Sequence, residues 1–283
     1  MGKSGANNGK TAELLEQIDD SLDQLAASLD RGESEQMVVF LNYLSRFHRY
    51  SFGNVMLIAL QRPDATQVAG FRSWKQLGRH VKKGERGIAI LAPIVRKAKP
   101  EDDEEEQEQG KPRTRTVGYR TVHVFDVSQT DGDELPQFAR VAGEPGEYSE
   151  RIRASIEAAD IALRTEFIPG GADGSSRGGE ISIRPELDPA SEFSVLAHEY
   201  AHELLHRGER RQETTKTIRE TEAEAVAYVV SNAIGLDAGT ASSDYIKLYN
   251  GSRETLQESL KHVRECAAKI LGDLLESENR RSG

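Results

Sequence analysis

Five consecutive residues, His198-Glu199-Tyr200-Ala201-His202, constrain this chain more than any other feature. They sit in the stretch 193–206, which is apolar between its polar residues and therefore reads as a helix lying against a core. A helix brings positions i and i+4 onto one face, so His198 and His202 present two imidazoles to a single ion. Glu199 lies one step round the helix, where it can reach a water beside the ion without being a ligand. This is the arrangement needed for zinc-assisted peptide hydrolysis. The ion acidifies water, and the carboxylate takes the proton and delivers it to the leaving amine. The bland alternative, two histidines on a solvated helix, fits these apolar surroundings poorly.

A catalytic zinc needs a third protein ligand, and the segment 219–230 offers Glu220, Glu222 and Glu224. Helical phase favours Glu222, which shares a face with Val226, Val229 and Ala233. Glu224 shares its face with Tyr228 and Ser231, and Glu220 lies near that same side. The expected metal set is therefore His198, His202 and Glu222, with Glu224 left to orient a histidine. His206, four residues after His202, is either a further metal contact or a capping and supporting residue. Tyr228, Tyr245 and Tyr249 are candidates for a hydrogen bond to a tetrahedral oxyanion, and Tyr245 is the preferred one.

Around this site the chain reads as α+β in two domains, each with its own core. Residues 1–10 are expected as a disordered tail and 11–131 as the first domain. The first domain starts with apolar-periodic helices at 11–30, near 38–47 and at 55–61, the last capped by Asn54. A helix capped by Ser73 is expected to run through His80. Residues 87–95 and 116–127 are rich in β-branched and apolar residues and read as paired strands. Between them, 97–115 contains the acidic run 101–108 and is expected to be a flexible insertion. Glycines and prolines mark a linker at 132–146. The second domain, 147–283, is expected to hold a helix at 149–164, short strands at 166–168 and 180–184, and helices at 190–207, 215–235 and 252–277.

The net charge of −10 argues against a polyanionic partner, but an average hides local patches. From Arg62 to Lys97 nine lysines and arginines face only two acids, Asp64 and Glu85, a local charge of +7. Phe71, Trp74, Tyr119 and His123 interleave with these cations. Single strands are bound in this way, by stacking bases on aromatic rings while cations follow the phosphates. The candidate DNA-binding residues are Phe71, Arg72, Trp74, Lys75, Arg79, Lys82, Lys83 and Arg86. The competing reading makes the aromatics core residues and the lysines a solvated face. No apolar run approaches the ~18 residues of a membrane span, so no membrane partner is expected. One cysteine, Cys266, and an N-terminus without a secretory leader lead us to expect a cytoplasmic protein.

The string at 67–88, Gln-Val-Ala-Gly-Phe-Arg-Ser-Trp-Lys-Gln-Leu-Gly-Arg-His-Val-Lys-Lys-Gly-Glu-Arg-Gly-Ile, followed by Val-Phe-Asp-Val-Ser-Gln-Thr at 124–130, resembles the N-terminal domain of ArdC-type antirestriction proteins. The resemblance implies a mobile-element protein in which a single-stranded-DNA-binding domain precedes a zincin-like metallopeptidase domain. The second half is also similar to ImmA/IrrE-type peptidases, whose Glu-Ala-Asn/Asp-x-Phe-Ala helix aligns with 222–227 and again points to Glu222. The expectation is a Zn2+ peptidase acting on a protein or peptide and coupled to DNA binding. Two alternatives stay open. One is a DNA-shielding protein with a structural zinc. The other is a repressor-cleaving peptidase whose first half docks protein.

Overall fold

The computed structural model describes residues 3–97, 114–133, 144–168, 172–237 and 252–275. By packing, the chain divides into one unit of Met1–Asp20 and Met56–Glu134, and a second of Ser21–Val55 and Leu135–Gly283. The divisions fall inside two helices, α1 (Lys3–Asp30) and α3 (Phe52–Gln61). α1 therefore begins within the expected N-terminal tail. α3 begins earlier than expected, and the Ser51 hydroxyl, not Asn54, accepts from its first turn. The acidic run 101–108 and most of the expected linker lie outside the described residues.

In the first unit, strands β1 (Val68–Gly70), β3 (Ile88–Lys97) and β4 (Thr114–Asp126) form an antiparallel sheet in the order β1-β4-β3. Ile88, Ile90 and Val124 are buried on one face, as their cross-strand register demands. β1 pairs only with Val124–Asp126, so the far ends of β3 and β4 run on as a two-stranded ribbon. There Ile94, Val95, Val117 and Tyr119 are exposed.

The helix expected through His80 is shorter: α4 spans Phe71–Gln76. Gly78 at φ 72° turns the chain into β2 (Arg79–Val81), which pairs with β5 (Thr130–Gly132). A Cβ on Gly132 would stand 2.4 Å from the Gly78 carbonyl oxygen, so glycine is required for this close approach.

Asp126 ties the unit together. Its buried carboxylate accepts from the backbone N–H groups of Thr66 (2.8 Å), Gln67 (3.2 Å) and Ser128 (2.9 Å). Gln129 completes a capping box with it by accepting from the Asp126 N–H at 3.0 Å.

In the second unit, α5 (Tyr148–Ala158) stops short of the expected Arg164. Asp160, at φ 56°, reverses the chain into β6 (Ala162–Thr165). Strands β7 (Gly174–Ser176) and β8 (Glu180–Ile183) complete a sheet in the order β6-β8-β7, with β6 parallel and β7 antiparallel to β8. The helices α2 (Glu35–Phe47), α6 (Pro189–Leu205), α7 (Glu209–Glu213), α8 (Lys216–Ala233) and α9 (Arg253–Leu275) make up the rest. The Asp188 side chain caps α6 through the Ser191 N–H, with Pro189 in the first turn. Thr215 caps α8 through the Ile218 N–H.

Phe193, Leu196, Ala197, Tyr200 and Ala201 of α6 are fully buried, as are Ala223, Val226 and Val230 of α8 and Leu260, Val263 and Ile270 of α9. Each large apolar side chain withdrawn from water in this way contributes roughly 1.5–3 kcal/mol. The alanines let α6 and α8 approach closely. α2 packs against α8, and the Tyr228 hydroxyl donates to Asn42 Oδ1 at 3.0 Å. Burial on α9 pushes the Cys266 thiol up to about 12, so it stays protonated.

Burial works to raise the Asp126 pKa, but the hydrogen bonds from Ser128, Thr66 and Gln67 outweigh it and hold the carboxyl below its usual range. Its stabilising contribution is thus full above the ordinary carboxylate pKa and is lost as pH falls through the depressed value. Asp126→Asn is expected to cost roughly 2–3 kcal/mol at neutral pH, because it weakens several charge-assisted bonds at once. Urea titrations of both proteins at pH 7 and pH 3 check this. Equal stability at pH 7, or a gap that grows in acid, contradicts the role.

Candidate metal centre and basic surface

His198 and His202 stand on successive turns in the C-terminal half of α6, where Leu196, Ala197, Tyr200 and Ala201 bury the opposite side of the helix. Their Nε2 atoms are 3.1 Å apart. The Glu220 Oε2 on α8 lies 3.6 Å from His198 Nε2 and 3.5 Å from His202 Nε2. These three donors form a nearly equilateral triangle. A tetrahedral ion with ligands at ~2.0–2.1 Å spaces its donors by about 3.4 Å, so the triangle fits one face of such a coordination sphere and leaves a corner open. Among the described residues, His198, His202 and Glu220 are the cluster able to hold a metal.

The third member is therefore Glu220, not Glu222. Two residues on an α-helix turn about 200°, so Glu222 points away from the face that Glu220 shares with Glu224. Glu222 is completely buried. Its carboxylate accepts from His206 Nε2 at 2.9 Å and from Arg210 at 2.7 and 2.8 Å. Glu224 Oε2 lies 3.5 Å from His198 Nδ1, on the side of the ring away from the triangle. His206 is not in the triangle; its Nδ1 meets His202 Nδ1 at 3.0 Å.

Glu199 is buried next to the triangle, and desolvation raises its pKa to about 7. Burial lowers His202 to about 4, with His198 adding to the effect. At His198 burial also acts downward, but hydrogen bonds to Glu220 and Glu224 outweigh it and raise the ring to about 9. Glu220, paired with His198, falls to about 2.

β7 forms the edge of its sheet and passes directly over Glu199. A Cβ on Gly174 would meet Glu199 Oε1 at 2.7 Å, which explains the glycine there. Glu203, also buried, accepts from the N–H groups of Gly178 (2.8 Å) and Gly179 (2.7 Å) and fixes the β7–β8 turn. Glu203 was not singled out in the sequence, although its place in the same helical run, followed by Arg207, was visible. The Tyr228 hydroxyl donates to Asn42 Oδ1 on α2. Tyr245 and Tyr249 lie outside the described residues.

The basic stretch of the first unit divides into two kinds of residue. Trp74 is only 2% exposed and its indole N–H donates to the Phe125 carbonyl at 2.9 Å, so it is a core residue and cannot stack on a base. Arg79 is spent on structure, donating to Thr130 Oγ1 (2.8 Å), the Thr130 carbonyl (3.0 Å) and the Gly132 carbonyl (3.3 Å). Lys82 is exposed but donates to the Ser128 carbonyl at 3.0 Å. Phe71, Arg72, Lys75, Lys83 and Arg86 are exposed, with Phe71 at 56%. The β3–β4 ribbon adds Tyr119 and Arg96, counted among the rings and cations in the sequence but not among the candidate binding residues, and Arg115 and Arg120, which lie beyond the basic string; all four are exposed.

The two carboxylates of α8 should separate experimentally. Glu220→Ala is expected to change folding stability by less than ~1 kcal/mol, as a half-exposed substitution, while sharply weakening divalent-metal binding. Glu222→Ala removes the buried partner of Arg210, leaving it the exposed Glu258 at 3.5 Å, and should cost about 3–5 kcal/mol. Chemical denaturation and chelator competition measure the two effects. A metal affinity unchanged by Glu220→Ala removes this residue from the site.

Residues 10–125 match the sequence profile of the N-terminal domain of anti-restriction factor ArdC. The uncharacterized protein pXO2-81 of Bacillus anthracis is 26% identical, over 94% of this chain and 52% of its own length. The chain thus spans about half of this relative. Crystal structures of the antirestriction ArdC protein from the R388 plasmid superpose with TM-scores of 0.51 (metal-free, 17% identity) and 0.50 (Mn(II)-bound, 16% identity). Both cover 91% of this chain and nearly all of the ArdC chain, 97% and 98% respectively. The match of residues 10–125 to the ArdC N-terminal domain and the mixed helix-and-sheet ArdC fold along nearly the whole length make the chain similar to the ArdC-type antirestriction proteins.

Proposed function

We propose that the chain is a zinc-dependent peptidase joined to a single-stranded-DNA-binding domain. The observation that carries the peptidase reading is the donor triangle of His198, His202 and Glu220 with Glu199 beside it. Two imidazoles and one carboxylate with an open corner suit a catalytic zinc. They would also accept Mn(II), the ion in one related ArdC structure. When bound, the ion supplies Lewis acidity toward a water and a peptide carbonyl.

The chain's own residues do the rest. Glu199 takes the proton of the attacking water and carries it to the leaving amine, a task that suits a carboxyl raised toward neutrality by burial. Among the described residues β7 is an outer strand of its sheet next to Glu199, so an extended peptide adds there as a further strand. Glu203, by holding Gly178 and Gly179, keeps that edge in position.

DNA binding is supported by the ArdC N-terminal domain match and by the exposed cations and rings of the first unit. Phe71 and Tyr119 are the rings free to stack, and Arg72, Lys75, Lys83, Arg86, Arg96, Arg115 and Arg120 are placed to follow phosphates.

The purified chain should hold close to one zinc, and Glu199→Gln should retain it while abolishing cleavage of an unfolded protein such as casein. Cleavage undiminished in Glu199→Gln refutes the proton-transfer role. In anisotropy titrations with a single-stranded oligonucleotide at low salt, Phe71→Ala and Tyr119→Ala should each weaken binding by ~1–3 kcal/mol. Charge reversal of Lys83 and Arg86 should weaken binding to all sequences alike and flatten its salt dependence. Full-length protein without affinity for such an oligonucleotide at low salt refutes the DNA-binding half.

A further inference from the structure

We infer that His206, held by Glu222 and Arg210, is a positioning residue that fixes His202 in the one tautomer able to bind a metal through Nε2. The inference rests on the metal reading above but concerns side chains outside the triangle. His198, His202 and His206 follow one another at four-residue spacing, with ring centroids 4.8 and 5.1 Å apart along α6. At His206 the chain leaves the helix, at φ −116° and ψ 41°, and its ring turns inward between His202 and α8.

The hydrogen-bond order follows from the far end. Glu222 is completely buried, and the Arg210 guanidinium, at 2.7 and 2.8 Å, balances its charge. An ionised carboxylate only accepts, so the 2.9 Å contact with His206 requires a proton on His206 Nε2. The His206 ring, buried against Glu222, thus has its proton drawn to Nε2, away from His202. Its Nδ1 then carries a lone pair. Across 3.0 Å it faces His202 Nδ1, which must supply the proton of that bond. A neutral imidazole with Nδ1–H has its free lone pair on Nε2, the atom that faces His198 Nε2 and Glu220. The opposite order, with the proton on His206 Nδ1, would leave His202 protonated on Nε2 and closed to an ion.

Glu222 therefore acts at two removes from the ion. The arrangement is a metal ligand oriented by a second histidine, which is oriented in turn by a buried ion pair.

The test begins with the metal-free full-length protein. Long-range 1H–15N spectra of histidine-labelled chain, assigned by the resonances lost in His202→Gln, should show His202 with a protonated Nδ1 and a bare Nε2. A protonated Nε2 overturns the inference. The second measurement is zinc affinity by chelator competition for two replacements of His206. His206→Asn keeps a carbonyl oxygen to accept from His202, while His206→Leu fills the volume without an acceptor. Loss of an outer partner typically costs about 10- to 100-fold in metal affinity, the weakening expected of His206→Leu, with His206→Asn well above it. A merely packing role reverses that order, and affinity equal to wild type in His206→Leu also overturns the inference. If the wild-type chain binds no zinc while His202 shows the expected tautomer, the metal reading fails and the orientation of His202 stands.

Discussion

The contact between α6 and α8 sets everything the second unit can do. Ala197 and Ala201 on one helix and Ala223 and Val226 on the other let the backbones come close, and all four are fully buried. That proximity fixes the rotation of α8 relative to the histidine face. Positions 220 and 224 then turn toward His198 and His202, while position 222 turns to the end of α6 and meets His206. A helix separates residues two apart by about half a turn, so the same run of glutamates serves two different surroundings. One surrounding is open to water and can admit an ion. The other is dry and holds a matched pair of charges.

Much of this was legible in the sequence. The four-residue histidine spacing places both imidazoles, and the expected helices at 190–207 and 215–235 fall close to α6 and α8. The long helices and the paired strands β3 and β4 follow from apolar periodicity and β-branched runs. The third donor was not legible by the same reasoning. An apolar stripe identifies the buried face of a helix, and Glu222 does occupy it. But a cluster open enough to admit an ion lies at the margin of the core, and the Glu220 side chain is 52% exposed. Burial found the carboxylate that needs a partner, and the partner was Arg210. Trp74 shows the converse. Cations around a ring suggested stacking, whereas 2% exposure and a bond to the Phe125 carbonyl make it part of the core.

Packing and family resemblance draw different boundaries. The ArdC N-terminal domain match covers 10–125 without interruption, yet residues 21–55 pack with the second half of the chain. The cause lies in α2, whose Met37, Phe40, Leu41 and Leu44 are buried and which packs against α8. A linear reading gives each segment to its sequence neighbours. Apolar faces, however, are covered by whatever element returns to them, and here that element is nearly two hundred residues away.

The formal charge of −10 conceals a division of labour among the acids. Asp126, Glu203 and Glu222 are buried with their oxygens occupied by backbone N–H groups, arginine or histidine. They hold a capping box, a hairpin turn and a histidine in place, and no charge is left over for a ligand. Among the described residues, Glu220 and Glu224 are half exposed and pair with imidazoles, the groups that a metal also binds. Glu199 is buried, and desolvation outweighs the nearby His198 and the Ser176 hydroxyl to raise its proton affinity. A carboxylate with saturated partners stabilises the fold, and one that meets histidines, or whose burial outweighs its partners, retains the capacity for chemistry. Applied residue by residue, this distinction separates the acids of α6 and α8 more sharply than their order in the sequence does.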